Sequence, residues 1–274
     1  MARVSVAAKI NLALVVGPRR VNGLHEVATV LQRIDLCDRL ELEPGQPLVV
    51  AGFEDDTLVR GALEQLAAEA GLEPAWRVKL EKRIPLAAGL GGGSADAGAA
   101  LTLANATLPE PLAPERLVAV AARIGSDVPF FLEPGPKLAE GAGERLTALA
   151  LPQDFWVLVA IEPRTAKPST GEVYARFDAL GGGPGFEERR AELLARLAAC
   201  RRPRDLAGLP ANDLAEAAGA SDLRATLRAA GAFRADVSGA GPAVYGLFHR
   251  VGQARAAARA LPPGSRAWVV AAVW

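Results

Sequence analysis

Hydrophobic and polar residues alternate most cleanly in "WRVKLEKRIP", where Trp76, Val78 and Leu80 interleave with Arg77, Lys79 and Glu81. A period of two predicts a strand with one packed face and one wet face, as in an antiparallel sheet. "ARVSVAAKINLALVVG" is rich in β-branched and apolar residues and predicts strand structure ending at Gly17-Pro18. Further strands are predicted from Val27 to Ile34, near Leu40 and Leu42, over "FWVLVAI", on both sides of the turn in "ADVSGAGPAVYGLF", and in the closing "RAWVVAAVW". A helical period puts Leu58, Leu63 and Leu66 on one side of a helix from Asp56 to Ala70. Other helices are predicted from a Ser94 cap to about Leu108, from Pro114 to Ile124, and over "FEERRAELLARLAA", "DLRATLRAAGAF" and "GQARAAARAL". "DVPFFLEPG" reads as a short strand or loop, and "GGGPG", Gly181 to Gly185, as a connector.

Strands and helices mix without regular β-α alternation, which places the chain in the α+β class. A composition break from Leu149 to Pro152 divides it into two expected domains, 1–150 and 151–274. Half of the 274 residues are hydrophobic, enough to build substantial cores. Lys and Arg together number 31, as do Asp and Glu, so no basic excess points to a nucleic-acid partner. The longest apolar run is too short to span a bilayer, and the first residues are broken by Arg3, Lys9 and Asn11, so neither a membrane span nor a signal peptide is expected. Cys37 and Cys200 match no metal spacing, which suggests free thiols in the cytoplasm.

The candidate chemistry begins at "PLAAGLGGGSADAGAALTLAN", Pro85 to Asn105. Glycine in quantity costs backbone entropy, so a dense cluster implies that the backbone itself is needed at close range. The loop lacks the lysine of a Walker A motif and fails the dinucleotide fingerprint in both registers, since Ser94 or Asp96 falls in the third slot. What survives is physical: free N–H groups and the positive end of a helix dipole, both suited to phosphate. Ser94 adds a hydroxyl able to meet a phosphate oxygen or Mg²⁺. The competing reading is a tight turn with close helix packing.

"PLAAGLGGGSADAGAAL" resembles the nucleotide loop of the GHMP kinases. "AAKINLALVV", "IGSDVPFFL", "ANDL" and "VSGAGPAVYGLF" follow that family's order along nearly the whole chain, and "AKINL" with "GSDVPFF" is most similar to its 4-diphosphocytidyl-2-C-methyl-D-erythritol kinases. The resemblance implies two α+β domains with mixed and antiparallel sheets and a cleft between them: an N-terminal nucleotide-binding domain and a C-terminal GHMP kinase domain. It implies ATP as co-substrate with Mg²⁺, a cytidine diphosphate-linked methylerythritol as acceptor, and a place in the non-mevalonate route to isoprenoids. ATP is then expected at Pro85, Leu86, Ala87, Ala88, Gly89, Leu90, Gly91, Gly92, Gly93, Ser94 and Ala95, with Ser94 as the candidate metal ligand. Lys9 and Asp127 take the catalytic roles, the first as a cation at the reacting hydroxyl and the second as acceptor of its proton. Asn11, His25 and Tyr174 are expected at the substrate. One position departs from the family pattern: relatives carry Gly-Tyr-His where this chain has Gly23-Leu24-His25, so Leu24 offers no aromatic face to a base and Tyr174 is the candidate to supply one. The alternative within the superfamily is a kinase of homoserine, mevalonate or a sugar. A dinucleotide-dependent oxidoreductase and a noncatalytic nucleotide-binding module are the readings from other classes.

Overall fold

The computed structural model describes residues 1–53, 58–162, 168–219 and 222–274. In chain order its strands are β1 (Ala2–Arg19), β2 (His25–Pro44), β3 (Val49–Ala51), β4 (Trp76–Glu81), β5 (Lys137–Gly141), β6 (Arg145–Ala148), β7 (Trp156–Ile161), β8 (Arg234–Val237), β9 (Val244–Phe248) and β10 (Arg266–Val273). Its helices are α1 (Leu58–Ala70), α2 (Gly92–Asn105), α3 (Pro114–Ile124), α4 (Thr170–Ala179), α5 (Phe186–Ala199), α6 (Leu223–Ala229) and α7 (Val251–Arg259), with 3₁₀ turns at Pro129–Leu132 and Pro203–Gly208. Two compact units interleave along the sequence: one comprises Met1–Ala8, Leu36–Leu86 and Gly91–Pro134, the other Lys9–Asp35, Ala87–Leu90 and Gly135–Trp274. β1 and β2 are long enough that each contributes residues to both.

In the first unit, β4 runs antiparallel to the end of β2, from Arg39 opposite Glu81 to Pro44 opposite Trp76, and β3 adds a parallel partner on its other edge. The alternation in β4 is borne out: Trp76, Val78 and Leu80 are buried, and Arg77, Lys79 and Glu81 are exposed. Helices α1 and α2 contribute buried faces, with Val59, Leu63 and Leu66 on α1 and Ala97, Leu101 and Ala104 on α2. Small residues on α2 permit close approach; a Cβ on Gly98 would stand 2.8 Å from the Phe131 side chain. α3 occupies the predicted Pro114–Ile124, with proline in its first turn.

In the second unit, β2 pairs antiparallel with β5 from Val27 opposite Gly141 to Leu31 opposite Lys137, and β5 turns back into β6. β10, β7, β9 and β8 follow as antiparallel neighbours. Leu158, Val237, Val244 and Phe248 form a core with Leu223 and Leu227 of α6 and Ala254 and Ala257 of α7. A second cluster joins Leu14, Val16 and Val27 to Val173 and Phe177 of α4 and to Leu214. α4 begins with a capping box, in which Ser169 Oγ accepts from the Glu172 amide at 3.2 Å and Glu172 Oε2 accepts from the Ser169 amide at 2.6 Å.

Several boundaries differ from the sequence reading. β1 continues through Gly17-Pro18 to Arg19, since a strand end accommodates a residue with no N–H. The two strands predicted between Val27 and Leu42 are one. "PFFL" is a 3₁₀ turn. α1 is described from Leu58 onward, so Asp56 lies outside the described residues. Ser94 does not cap α2: Gly91 holds the cap position in a left-handed conformation with no side-chain cap, and Ser94 sits inside the first turn. Among the described residues no helix is long and apolar enough to cross a membrane.

Candidate active site

Lys9 lies on β1 and is only 4% exposed, which removes the reading of a surface lysine whose head reaches water. Its amide donates to the Leu90 carbonyl at 2.9 Å, which ties the strand to the glycine loop. Its Nζ donates to Asn11 Oδ1 at 2.8 Å. Asn11 Nδ2 donates to Thr29 Oγ1 at 2.8 Å, and Thr29 Oγ1 donates to the Ala13 carbonyl at 2.7 Å. This relay fixes the Asn11 amide with its oxygen toward the ammonium. A buried cation is thus held in one orientation beside the loop.

The loop takes left-handed backbone at Gly89 (φ 80°) and Gly91 (φ 68°), and also at Ala87 (φ 58°). For a residue with a Cβ that conformation costs about 1–2 kcal/mol. Close packing accounts for part of the glycine requirement. A Cβ on Gly89 would stand 2.0 Å from the Ser238 carbonyl oxygen, and one on Gly241 would stand 2.2 Å from Ala88. The Ser238 hydroxyl donates to the Gly89 carbonyl at 2.8 Å, and the Ala243 amide to the Ala88 carbonyl at 3.2 Å. The late glycine turn is therefore locked to the first half of the glycine loop. The second half is also closely packed: a Cβ on Gly93 would stand 2.8 Å from Leu58 Cδ1 and one on Gly92 3.0 Å from Ile84 Cγ2. Ala95 makes the bond back to Gly91 at 2.8 Å, so the amides of Gly92, Gly93 and Ser94 precede it at the positive end of α2.

A buried ion cluster that sequence reasoning missed stands at the start of α2. Lys82 Nζ donates to Asp38 and, at 2.5 Å, to Asp96, and both carboxylate side chains are fully buried. Asp38 also accepts from the amides of Arg83 at 2.5 Å and Ile84 at 2.8 Å. Burial alone would lower the Lys82 pKa, but the charge and hydrogen bonds of Asp96 and Asp38 outweigh it and raise it. A Cβ on Gly92 would lie 3.4 Å from Lys82 Nζ, so the cluster holds the segment that leads into the helix. Lys82→Met leaves two buried carboxylates without their cation. It is expected to lower stability by about 3–5 kcal/mol, measured as a shift of the urea midpoint.

His25 and Tyr174 are brought together, with ring centroids 4.7 Å apart and planes tilted by 32°. His25 Nε2 meets Asp178 Oδ1 at 2.8 Å, and Phe177 lies edge-on at 6.1 Å. Leu24 is 54% exposed. Lys9, Asn11, His25, Tyr174 and Ala87–Leu90 belong to one compact unit; Asp127, Pro85, Leu86 and Gly91–Ala95 belong to the other. Asp127 is half-buried in the turn between α3 and the Pro129–Leu132 3₁₀ helix, where the Val128 amide donates to the Gly125 carbonyl at 3.1 Å. Among the described residues no three His, Cys, Asp or Glu side chains group as a metal cage.

The signal for α4 was present as the Ser-x-x-Glu pattern of Ser169 and Glu172. Asp38, Asp96 and Asp178 carried none, because their partners lie 44, 14 and 153 positions away, beyond the reach of any local pattern.

The sequence matches the GHMP kinases N terminal domain over residues 57–135 and the GHMP kinases C terminal domain over 214–263. It is 41% identical to a 4-diphosphocytidyl-2-C-methyl-D-erythritol kinase from Salinispora arenicola, over 88% of this chain and 81% of that one. It is 39% identical to the enzyme of the same name from an Anaeromyxobacter species, over 93% and 84%. A crystal structure of 4-(cytidine 5'-diphospho)-2C-methyl-D-erythritol kinase superposes with a TM-score of 0.81 at 34% identity, covering 100% of both chains. With the buried Lys9–Asn11 pair and the glycine loop in place, these likenesses show that the chain belongs to the 4-diphosphocytidyl-2-C-methyl-D-erythritol kinase family of GHMP kinases.

Proposed function

We propose that the chain transfers the γ-phosphoryl group of ATP to the 2-hydroxyl of 4-diphosphocytidyl-2-C-methyl-D-erythritol, in the non-mevalonate route to isoprenoids. The observation that carries the chemistry is the buried Lys9 ammonium, held by Asn11 and tied through its own amide to the glycine loop. The acceptor rests on relatives of that name at 41% and 39% identity, which favours this substrate over homoserine, mevalonate or a sugar.

The acceptor oxygen bonds to the γ-phosphorus as the bond from phosphorus to the bridging oxygen breaks, and ADP leaves. Lys9 neutralises charge on the transferring group and favours the ionised form of the hydroxyl. Asp127 orients that hydroxyl and takes its proton. A carboxylate is a weak base, but phosphoryl transfer is largely dissociative and asks for little proton removal early in the reaction. The amides at the start of α2 hold phosphate oxygens at the positive end of the helix dipole. If Mg²⁺ accompanies ATP, Ser94 Oγ, in the first turn of α2, would be its ligand from this chain, and the ion would supply positive charge to the phosphates. Tyr174 offers a face for the cytosine in place of the ring that Leu24 lacks, a contact worth roughly 1–3 kcal/mol, beside the anchored His25.

The two family matches fall on either side of residue 150, which supports the division into an N-terminal nucleotide-binding domain, 1–150, and a C-terminal domain, 151–274. The thiols at Cys37 and Cys200 and the use of ATP fit a cytoplasmic enzyme. An ADP-release assay with each acceptor tests the reading. Turnover is expected with the cytidine diphosphate-linked methylerythritol, and faster turnover with homoserine, mevalonate or a sugar would overturn it.

A further inference from the structure

The stretch "ANDL" takes no part in the chemistry above, yet its asparagine is bonded to the turn that borders Lys9. We propose that Asn212 is a positioning residue for phosphoryl transfer: it fixes the Ser238–Gly241 turn against β1, so that Lys9, Asn11 and the Ala88–Gly89 end of the loop keep one geometry. This rests on the kinase reading of Lys9.

Asn212 is 3% exposed, and its side-chain amide is fully used. Nδ2 donates to the Val237 carbonyl at 3.1 Å and the Gly239 carbonyl at 2.7 Å, while Oδ1 accepts from the Leu214 amide at 2.9 Å. Two carbonyl partners require two N–H donors, which fixes the orientation of the amide. The backbone amide of Asn212 donates to Asp236 Oδ2 at 3.0 Å, and Arg234 holds that same carboxylate at 3.1 Å. Toward β1, Asn212 forms a parallel bridge with Leu14, and the Asp213 amide donates to the Leu14 carbonyl at 2.9 Å. One residue therefore joins the strand that carries Lys9 and Asn11 to the glycine turn.

That turn lies against the reacting groups. Gly239 is left-handed, and a Cβ there would lie 3.4 Å from Asn11 Oδ1, 3.5 Å from the Gly89 carbonyl oxygen and 3.6 Å from Lys9 Nζ. Ser238 and Ala243 bond to the loop itself. Releasing the Val237 and Gly239 carbonyls frees the turn where it meets all three. Small displacements of reacting groups cost turnover more than affinity, so the effect falls on kcat.

The test uses the full chain with ATP and the cytidine diphosphate-linked acceptor. Asn212→Asp keeps the size and the acceptor for Leu214 but, when ionised, has no donor for either carbonyl. Asn212→Ser keeps one hydroxyl donor. With active sites counted by ATP-analogue binding stoichiometry, kcat per site is expected to fall about tenfold or more in Asn212→Asp and by less in Asn212→Ser. Both KM values should stay within about threefold. Lowering the pH protonates the new carboxyl, restores an O–H donor, and should narrow the gap to the parent. A purely structural defect would lower the number of active sites and leave kcat per site alone. Values of kcat per site within about threefold of the parent in both variants would overturn the positioning role. If Asn212→Asp does not fold, Asn212→Ser decides by the same criterion. A parent chain with no acceptor-dependent ADP release instead overturns the kinase reading, and the positioning role falls with it.

Discussion

Asp127→Asn is expected to fold normally, bind both substrates and lose about 10²–10⁴-fold in kcat. The substitution keeps the size of the side chain and one acceptor oxygen, so the turn between α3 and the 3₁₀ helix that holds residue 127 has no steric reason to move. On the proposed mechanism it removes the site that receives the hydroxyl proton, together with the negative charge that orients the O–H toward it. Because the transition state is loose, much of the loss comes from orientation, which also contributes heavily to rate. ADP release under saturating substrates reads kcat, and calorimetric titration with an ATP analogue reads binding. Near-normal turnover in this variant would remove Asp127 from the mechanism.

Lys9→Met is expected to lower kcat by about 10²–10³-fold. Methionine is long, flexible and apolar, and position 9 is almost fully enclosed, so the fold should accept it. The variant loses the cation that, on the proposed mechanism, offsets charge on the moving phosphoryl group, and it leaves Asn11 Oδ1 without the donor at 2.8 Å. Lys9→Arg should not restore turnover. A planar guanidinium cannot reproduce a compact ammonium inside a hydrogen-bond relay shaped by Asn11 and Thr29. The measurement is ADP release, with the melting temperature of each variant as a control for folding.

The parts of this structure legible in the sequence are those whose cause is local. The wet and dry faces of β4 follow from a period of two, and α3 starts where Pro114 presets the backbone. The glycine loop and Lys9 in an apolar strand stand out by composition alone. Other features depend on distant residues. Asp38 reads as one polar position among several in "DLCDRLELE", and its burial is explained by Lys82, 44 residues on, together with the Arg83 and Ile84 amides. The start of α2 is set by the left-handed backbone of Gly91, where a hydroxyl cap at Ser94 was the local expectation. Gly89 looked like an adaptation to phosphate, and its backbone does face close neighbours, but the nearest is the Ser238 carbonyl from a turn 149 residues away. His25 was legible as a motif residue; its anchor Asp178 was not, since the pair spans 153 positions.

A crystal structure of the chain with a non-hydrolysable ATP analogue and the cytidine diphosphate-linked acceptor decides whether the proposed groups meet at the reacting hydroxyl. The γ-phosphate is expected on the amides of Gly92, Gly93 and Ser94, with the Asp127 carboxylate and Lys9 Nζ each within about 3.2 Å of the acceptor hydroxyl, directly or through one water. An acceptor hydroxyl bound out of reach of either group would contradict the proposed mechanism.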